Sequence, residues 1–305
     1  MENIHQWVYQ NINYFFFVYG LSFLTMGIAI LLMPKKESRF KLAKILWLLA
    51  AYAFLHSVGD FATIISDIKE ETKNHIGIIF TSVSYLFLFE FGRRLINLSK
   101  KILPWWLLPV CVLITFSVSF FSSDYLKSFN IFVGYFVRFP AGIMASIGFI
   151  LYFSSIKSEV KESKVVKTYF IVISIAMFLW AILCGIVRVE GNFFPANIIN
   201  TTTFFDFTRI PVQVFRTITS ILTTIALFGI FDIFKWEMIH RLQDSQNEIR
   251  EYNNSLEEIV KQRTEKLIKV NDIQSSLYDV LQMTLQKQTL SVHRKIKSDF
   301  IGKIV

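Results

Sequence analysis

Ile210-Pro-Val-Gln-Val-Phe-Arg-Thr-Ile-Thr-Ser220, Ile221-Leu-Thr-Thr-Ile-Ala-Leu-Phe-Gly-Ile230 and Phe231-Asp-Ile-Phe-Lys-Trp-Glu-Met-Ile-His240 follow one another directly. The part through Phe234 is apolar and long enough to cross about 30 Å of hydrocarbon as a helix. No Pro or Gly separates Phe234 from the charged residues after it, so the spacing predicts one helix passing out of a membrane into water. A membrane helix that continues as a polar one is a mechanical connection, and the rest of the chain shows what it connects.

Downstream, the apolar period becomes that of a coiled coil. Leu242, Ile249, Leu256, Val270 and Leu277 fall at a positions, and Tyr252, Ile259, Ile273 and Val280 at d positions. Arg263 and Lys266 interrupt the seam, which lowers stability and can set register. The expected interface of a parallel homodimer is Leu242, Ile249, Tyr252, Leu256, Ile259, Val270, Ile273 and Leu277. Residues 286–305 read as a short basic tail without a pattern.

Upstream, apolar runs cover about 14–33, 42–65, 76–92, 103–121, 131–153 and 168–189, which with 210–234 makes seven. The third is the shortest. The chain is 53% hydrophobic, with 32 Phe and a mean hydropathy of +0.46, above the 45–50% apolar content usual for soluble domains. The expected architecture is all-α and polytopic. A seven-helix transmembrane bundle occupies 1–235, a cytoplasmic coiled-coil helix 236–285 and the tail 286–305. Met1 to Asn13 contains no positive residue and no small-residue cleavage site, so 14–33 reads as a retained helix and not a signal peptide.

The charges set an orientation. Lys35, Lys36, Arg39, Lys41 and Lys44 flank the first connection, Arg93, Arg94, Lys100 and Lys101 the third, and Lys157, Lys161, Lys164 and Lys167 the fifth. The alternate connections carry only Lys69, Lys73, Lys127, Arg188 and Arg209. The positive-inside rule then places the N-terminus outside and the C-terminus in the cytoplasm. The formal net charge of +9 is thus a topology signal, and nucleic acid is not an expected partner. The longest outer connection, 189–210, mixes aromatics with Asn and Thr. It suits either an interfacial lid or an ordered loop with no further role.

Ionisable groups at membrane depth are expensive and therefore candidates for function. His56 and Asp60 stand four apart on the second helix, on one face and within hydrogen-bonding reach. Arg138, just before Pro140, enters the fifth helix, and Arg216 lies near the start of the seventh. Brought together, the four would form a polar cluster in the outer half of the bundle. It would bind a small ligand or ion, sense protons through His56, or serve only as an internal network that fixes packing. Glu90 is one turn from Arg93 and Arg94, the spacing of a structural ion pair, while Asp206 and Arg209 read as solvated.

Cys111 and Cys184 fall within apolar runs and read as small buried hydrophobes. No cofactor or metal is expected. The last span lacks the Lys that a retinal Schiff base needs, and no nucleophile or phosphate-binding motif appears. An enzyme using His56 and Asp60 as acid and base is a minor alternative.

Several stretches together resemble the membrane sensor region of bacterial sensor histidine kinases of the GAF- or PAS-containing type. These are Tyr19-Gly-Leu-Ser-Phe-Leu-Thr-Met-Gly-Ile-Ala29, Leu48-Leu-Ala-Ala-Tyr-Ala-Phe-Leu-His-Ser-Val-Gly-Asp60, Phe91-Gly-Arg-Arg-Leu95, Phe193-Phe-Pro-Ala-Asn-Ile-Ile-Asn200, Ile210-Pro-Val-Gln-Val-Phe-Arg216 and Phe231-Asp-Ile-Phe-Lys-Trp-Glu237. Leu256-Glu-Glu-Ile-Val-Lys-Gln-Arg-Thr-Glu-Lys-Leu267 is similar to the signalling helix before many output modules. Leu277-Tyr-Asp-Val-Leu-Gln-Met-Thr-Leu285 is similar to the helix opening a GAF domain. The resemblance implies a two-component sensor in a bacterial inner membrane. No ATP lid or phosphoacceptor box follows within the 305 residues, and His293 precedes Arg294-Lys295, so a separate kinase or other output protein is the expected partner. The alternative is a transporter or membrane assembly factor whose coil docks a partner. A transporter should show repeated, broken halves, and no such repeat is visible.

Overall fold

The computed structural model describes residues 6–8, 10–33, 40–69, 75–100, 102–156 and 164–301. Lys35, Lys36, Arg39, Lys73, Lys101, Lys157, Lys161 and residues 302–305 of the expected tail lie outside the described residues.

The described chain is helical. α1 is Ile12–Leu32, α2 Leu46–Lys69, α3 His75–Ser99 and α4 Leu107–Phe120. α5, Tyr125–Val133, passes through a π-helical turn, Gly134–Arg138, into α6, Phe139–Ser155. α7, Lys164–Ala181, ends in a second π-helical turn, Ile182–Ile186. α8 is Thr201–Thr208 and α9 Val212–Ile301. Among the described residues, six helical segments are long and apolar enough to cross a membrane, and α4 is a shorter apolar helix of 14 residues.

α1 shows why these segments are two-sided. Tyr19, Phe23, Met26 and Ile30 recur every three or four residues and are buried, while Val18, Leu21, Ile28 and Leu32 on the other side are exposed. A helix apolar all round, with one face against protein and the other uncovered, is what a bilayer accommodates. At 1.5 Å per residue its 21 residues reach roughly 31 Å.

The shortest of the helices formed by these apolar runs is the fourth and not the third. Glu90 accepts from Arg93 at 2.7 Å and from Arg94 at 2.5 Å. The paired charges let α3 continue to Ser99, past the expected end at 92. Asn97 then ties down the next turn, accepting from the backbone N–H groups of Ile102 and Leu103 and donating to the Leu103 carbonyl. Pro104 and Pro109 hold α4 to a late start, since proline is tolerated only in a first helical turn. α5 begins earlier than expected because Asp124 caps it, its carboxylate accepting from Lys127 N at 3.1 Å.

Contacts order the helices. Ser99 and Ser155 hydrogen-bond at 3.2 Å, so α3 and α6 end on the same face. α1 and α9 run parallel: Thr217 donates to the Phe15 carbonyl, and further along Ser22 donates to Ser220 at 2.7 Å and Thr224 to the Ser22 carbonyl. Small hydroxyl residues let the two backbones approach closely.

The chain divides into two units, through Met238 and from Ile239. In the second, the backbone stays helical to Ile301. The side chains at the expected seam are exposed, from 44% at Leu256 to 68% at Tyr252.

Candidate functional site

One group of buried polar residues gathers between α1, α2, α3, α7, the start of α9 and the two π-helical turns. Ser84 donates to the Thr81 carbonyl at 2.6 Å, and its oxygen is 3.0 Å from His56 Nδ1. Nε2 of His56 is 3.2 Å from the Tyr19 hydroxyl, which also accepts from Trp180 Nε1 at 3.0 Å. The Tyr19 proton goes to His56 Nε2 or to Cys184 Sγ according to the imidazole tautomer. Cys184 lies 3.6 Å from the Tyr19 hydroxyl. Phe23, Tyr52 and Tyr85 close round the imidazole, with ring centroids 4.6, 5.2 and 5.1 Å away.

The hydrogen bond expected between His56 and Asp60 is not made. Nε2 and the nearer carboxylate oxygen are 3.8 Å apart, beyond hydrogen-bonding range. Both imidazole nitrogens are already engaged with Ser84 and Tyr19. Asp60 faces a cavity of ≈ 140 Å³, and its Oδ2 has no hydrogen-bond partner.

Arg138, Arg188 and Arg216 line the same cavity. Arg138 lies within the π-helical turn, well inside the continuous 125–155 helix and not at its entrance as expected. Its guanidinium carbon is 4.6 Å from the centre of the Tyr85 ring, a cation–π geometry. Arg138 and Arg188 both donate to Oδ1 of Asn130. Arg216 donates to the Leu183 carbonyl at 2.7 Å and to the Val187 carbonyl at 2.8 Å, and Arg188 to the Cys184 carbonyl at 3.3 Å. These carbonyls are at the C-terminus of α7, where helical acceptors are unmatched and the dipole is negative.

The two π-helical turns pack on each other through glycines. A Cβ at Gly134 would lie 2.6 Å from the Gly185 carbonyl oxygen, and one at Gly185 only 2.5 Å from Phe139 Cβ. π-helical turns recur at functional sites because they redirect side chains and loosen the helical hydrogen-bond ladder. Here they position Arg138 and, two residues after the second, Arg188.

The 189–210 connection is ordered. Arg188 pairs with Asn200 in an isolated bridge, and the Arg188 carbonyl accepts from Thr201 N at 2.8 Å. Asn200 and Thr203 form a reciprocal capping box that starts α8. Arg209, in the left-handed conformation at φ 58°, ends it. Phe194, Ile198 and Phe207 are exposed, as are Asp206 and Arg209.

All four residues singled out from the sequence, His56, Asp60, Arg138 and Arg216, line this one cavity. Sequence reasoning missed Arg188, which read as a loop cation, together with Asn130, Gln213, Tyr19 and Cys184. Only Arg188 left a trace, as a cation immediately after an apolar run. Among the described residues no three His, Cys, Asp or Glu groups are placed to hold a metal. No family model matches the chain, and no curated protein or solved structure does either.

Proposed function

We propose that this chain is the membrane input module of a two-component-type signalling protein, with the arginine-lined cavity as its sensing site and α9 as its relay. One observation carries the reading: Gln213 and Arg216, in the first two turns of α9, line the cavity, and α9 runs on to Ile301. A change at the cavity therefore acts directly on the helix that bears the heptad seam. The seam residues are exposed in the single chain, and a second copy paired in parallel would cover them. The signal is then a shift or rotation of α9 that biases the coil between two packings, toward a kinase or other output protein.

The proposed topology has seven crossings in a bacterial inner membrane, with the N-terminus outside and the C-terminus in the cytoplasm. The parallel course of α1 and α9 supports it, as does the shared end of α3 and α6. Since Ser99 and Ser155 lie at one face, the chain between Ser99 and Tyr125 has to recross the bundle, and α4 with its flanks provides that crossing. The resemblance of 14–290 to kinase sensor regions points the same way.

Disulfide crosslinking of Leu256→Cys and Ile259→Cys in native membranes tests the reading. Crosslinks between chains, absent from the parent protein, are the expected result. Their absence at both positions would remove the dimer and the mechanism with it.

A further inference from the structure

We infer that the cavity is a binding site for a small oxyanion, a carboxylate or inorganic oxyanion of a few heavy atoms, with Arg138, Arg188 and Arg216 as its cationic wall.

The first argument is charge. Three guanidinium groups line the cavity, while Asp60 is the one carboxylate among its lining residues and, among the described residues, the one buried acid. Arg138 and Arg188 are 4% and 8% exposed, yet both lean on the neutral amide of Asn130. The α7 C-terminus contributes about half a negative charge, so the site keeps a clear positive excess. Buried charges persist only when paired, and in a membrane that requirement is sharper. The missing partner is an anion.

The second argument is unused hydrogen-bonding capacity. Nε of Arg138, Nε of Arg188 and Nε2 of Gln213 are buried donors without an acceptor, and all three residues line the cavity. Against them stands a single orphaned acceptor, Oδ2 of Asp60. Water would satisfy donors without neutralising charge. An oxyanion does both, because guanidinium N–H groups match the spacing of oxygens on one centre. The cavity is small, ≈ 140 Å³, which suits a ligand of a few heavy atoms. The orphaned carboxylate oxygen favours an anion that also carries a proton to donate.

Binding does not depend on the relay; only the role of the oxyanion as stimulus rests on the reading above. The test uses the full chain in lipid nanodiscs, titrated calorimetrically with acetate, phosphate, sulfate and chloride. Saturable binding of at least one oxyanion is expected, with a matching rise in Tm. Arg188→Gln is expected to weaken it at least ten-fold, and Arg188→Lys to restore part of the loss. Wild-type protein that binds no oxyanion at millimolar concentration overturns the proposal, as does chloride binding of equal affinity. If Arg188→Gln does not fold, the wild-type titration and the Arg188→Lys variant decide. The same oxyanion is then added to the coil crosslinking assay. Binding without a change in crosslinking leaves the site standing and removes the sensing role. Crosslinking that responds to another stimulus, without oxyanion binding, does the reverse.

Discussion

Arg138 and Arg188 meet at one acceptor: each donates through Nη2 to Oδ1 of Asn130, Arg138 at 3.2 Å. Two cations, one from the turn between α5 and α6 and one from the segment just after α7, are thus held side by side by a neutral amide, an arrangement that is complete only with a further negative group. The consequence can be tested at Asn130 itself. Asn130→Asp places a fixed carboxylate between the guanidinium groups and should raise Tm while abolishing the response to added oxyanion. Asn130→Ala removes the acceptor of two charged donors and should lower stability by about 1–3 kcal/mol. Thermal unfolding of both variants, with and without phosphate, checks the pair.

Where the π-helical turns meet, at Gly134 and Gly185, there is no room for a side chain. Gly185→Ala would drive a Cβ to within 2.5 Å of Phe139 Cβ, and overpacking of this kind costs about 1–3 kcal/mol. Gly191→Ala meets Ala196 Cβ and Ile131 Cδ1 at 3.1 Å, a milder crowding, and should cost less. Comparing the two Tm values separates a packing requirement from a general intolerance of the region.

Tyr19 links Trp180 to His56. Tyr19→Phe leaves the Trp180 N–H without its acceptor and His56 Nε2 without its partner, at an expected loss of about 1–3 kcal/mol. Ser84→Ala breaks the chain at its other end. Because both act on one network, the double variant should lose less than the sum of the single losses. Additive losses in a double-mutant cycle would rule out a connected chain.

The relay predicts that the coil seam is under tension at its polar positions. Arg263→Leu with Lys266→Leu completes the apolar seam, and should raise the yield of Leu256→Cys crosslinks and make it insensitive to the bundle. Crosslinking yield in membranes measures both effects.

Orientation is checked by labelling with a membrane-impermeant maleimide. Phe207→Cys, at a side chain 90% exposed in the 189–210 connection, should react in intact cells. Ser245→Cys should react only after permeabilisation. The opposite pattern would invert the proposed topology.

Hydropathy alone located the bundle and the helix leaving it, because the tendency of an apolar run to form a membrane helix is local. Helix ends were less legible. α3 outlasts its apolar run because Glu90 neutralises Arg93 and Arg94, and α5 starts early because Asp124 caps it. Both depend on specific side-chain pairs that mean hydropathy does not register. The relation of His56 to Asp60 was half legible. Their spacing put them on one face, but the competing partners of His56 come from helices α1 and α3, remote in sequence.

The sequence by itself determined that the chain is a set of apolar helices followed by a long polar one, and that His56, Asp60, Arg138 and Arg216 stand within apolar runs. Period, length and charge placement suffice for that, since each is set within a few turns of helix. Only the tertiary structure decided that these residues share one cavity, and that Arg188 joins them. A cation at the end of an apolar run can turn toward water or back into the bundle. The packing of the π-helical turns at Gly134 and Gly185, and the exposed carbonyls at the end of α7, turn Arg188 inward.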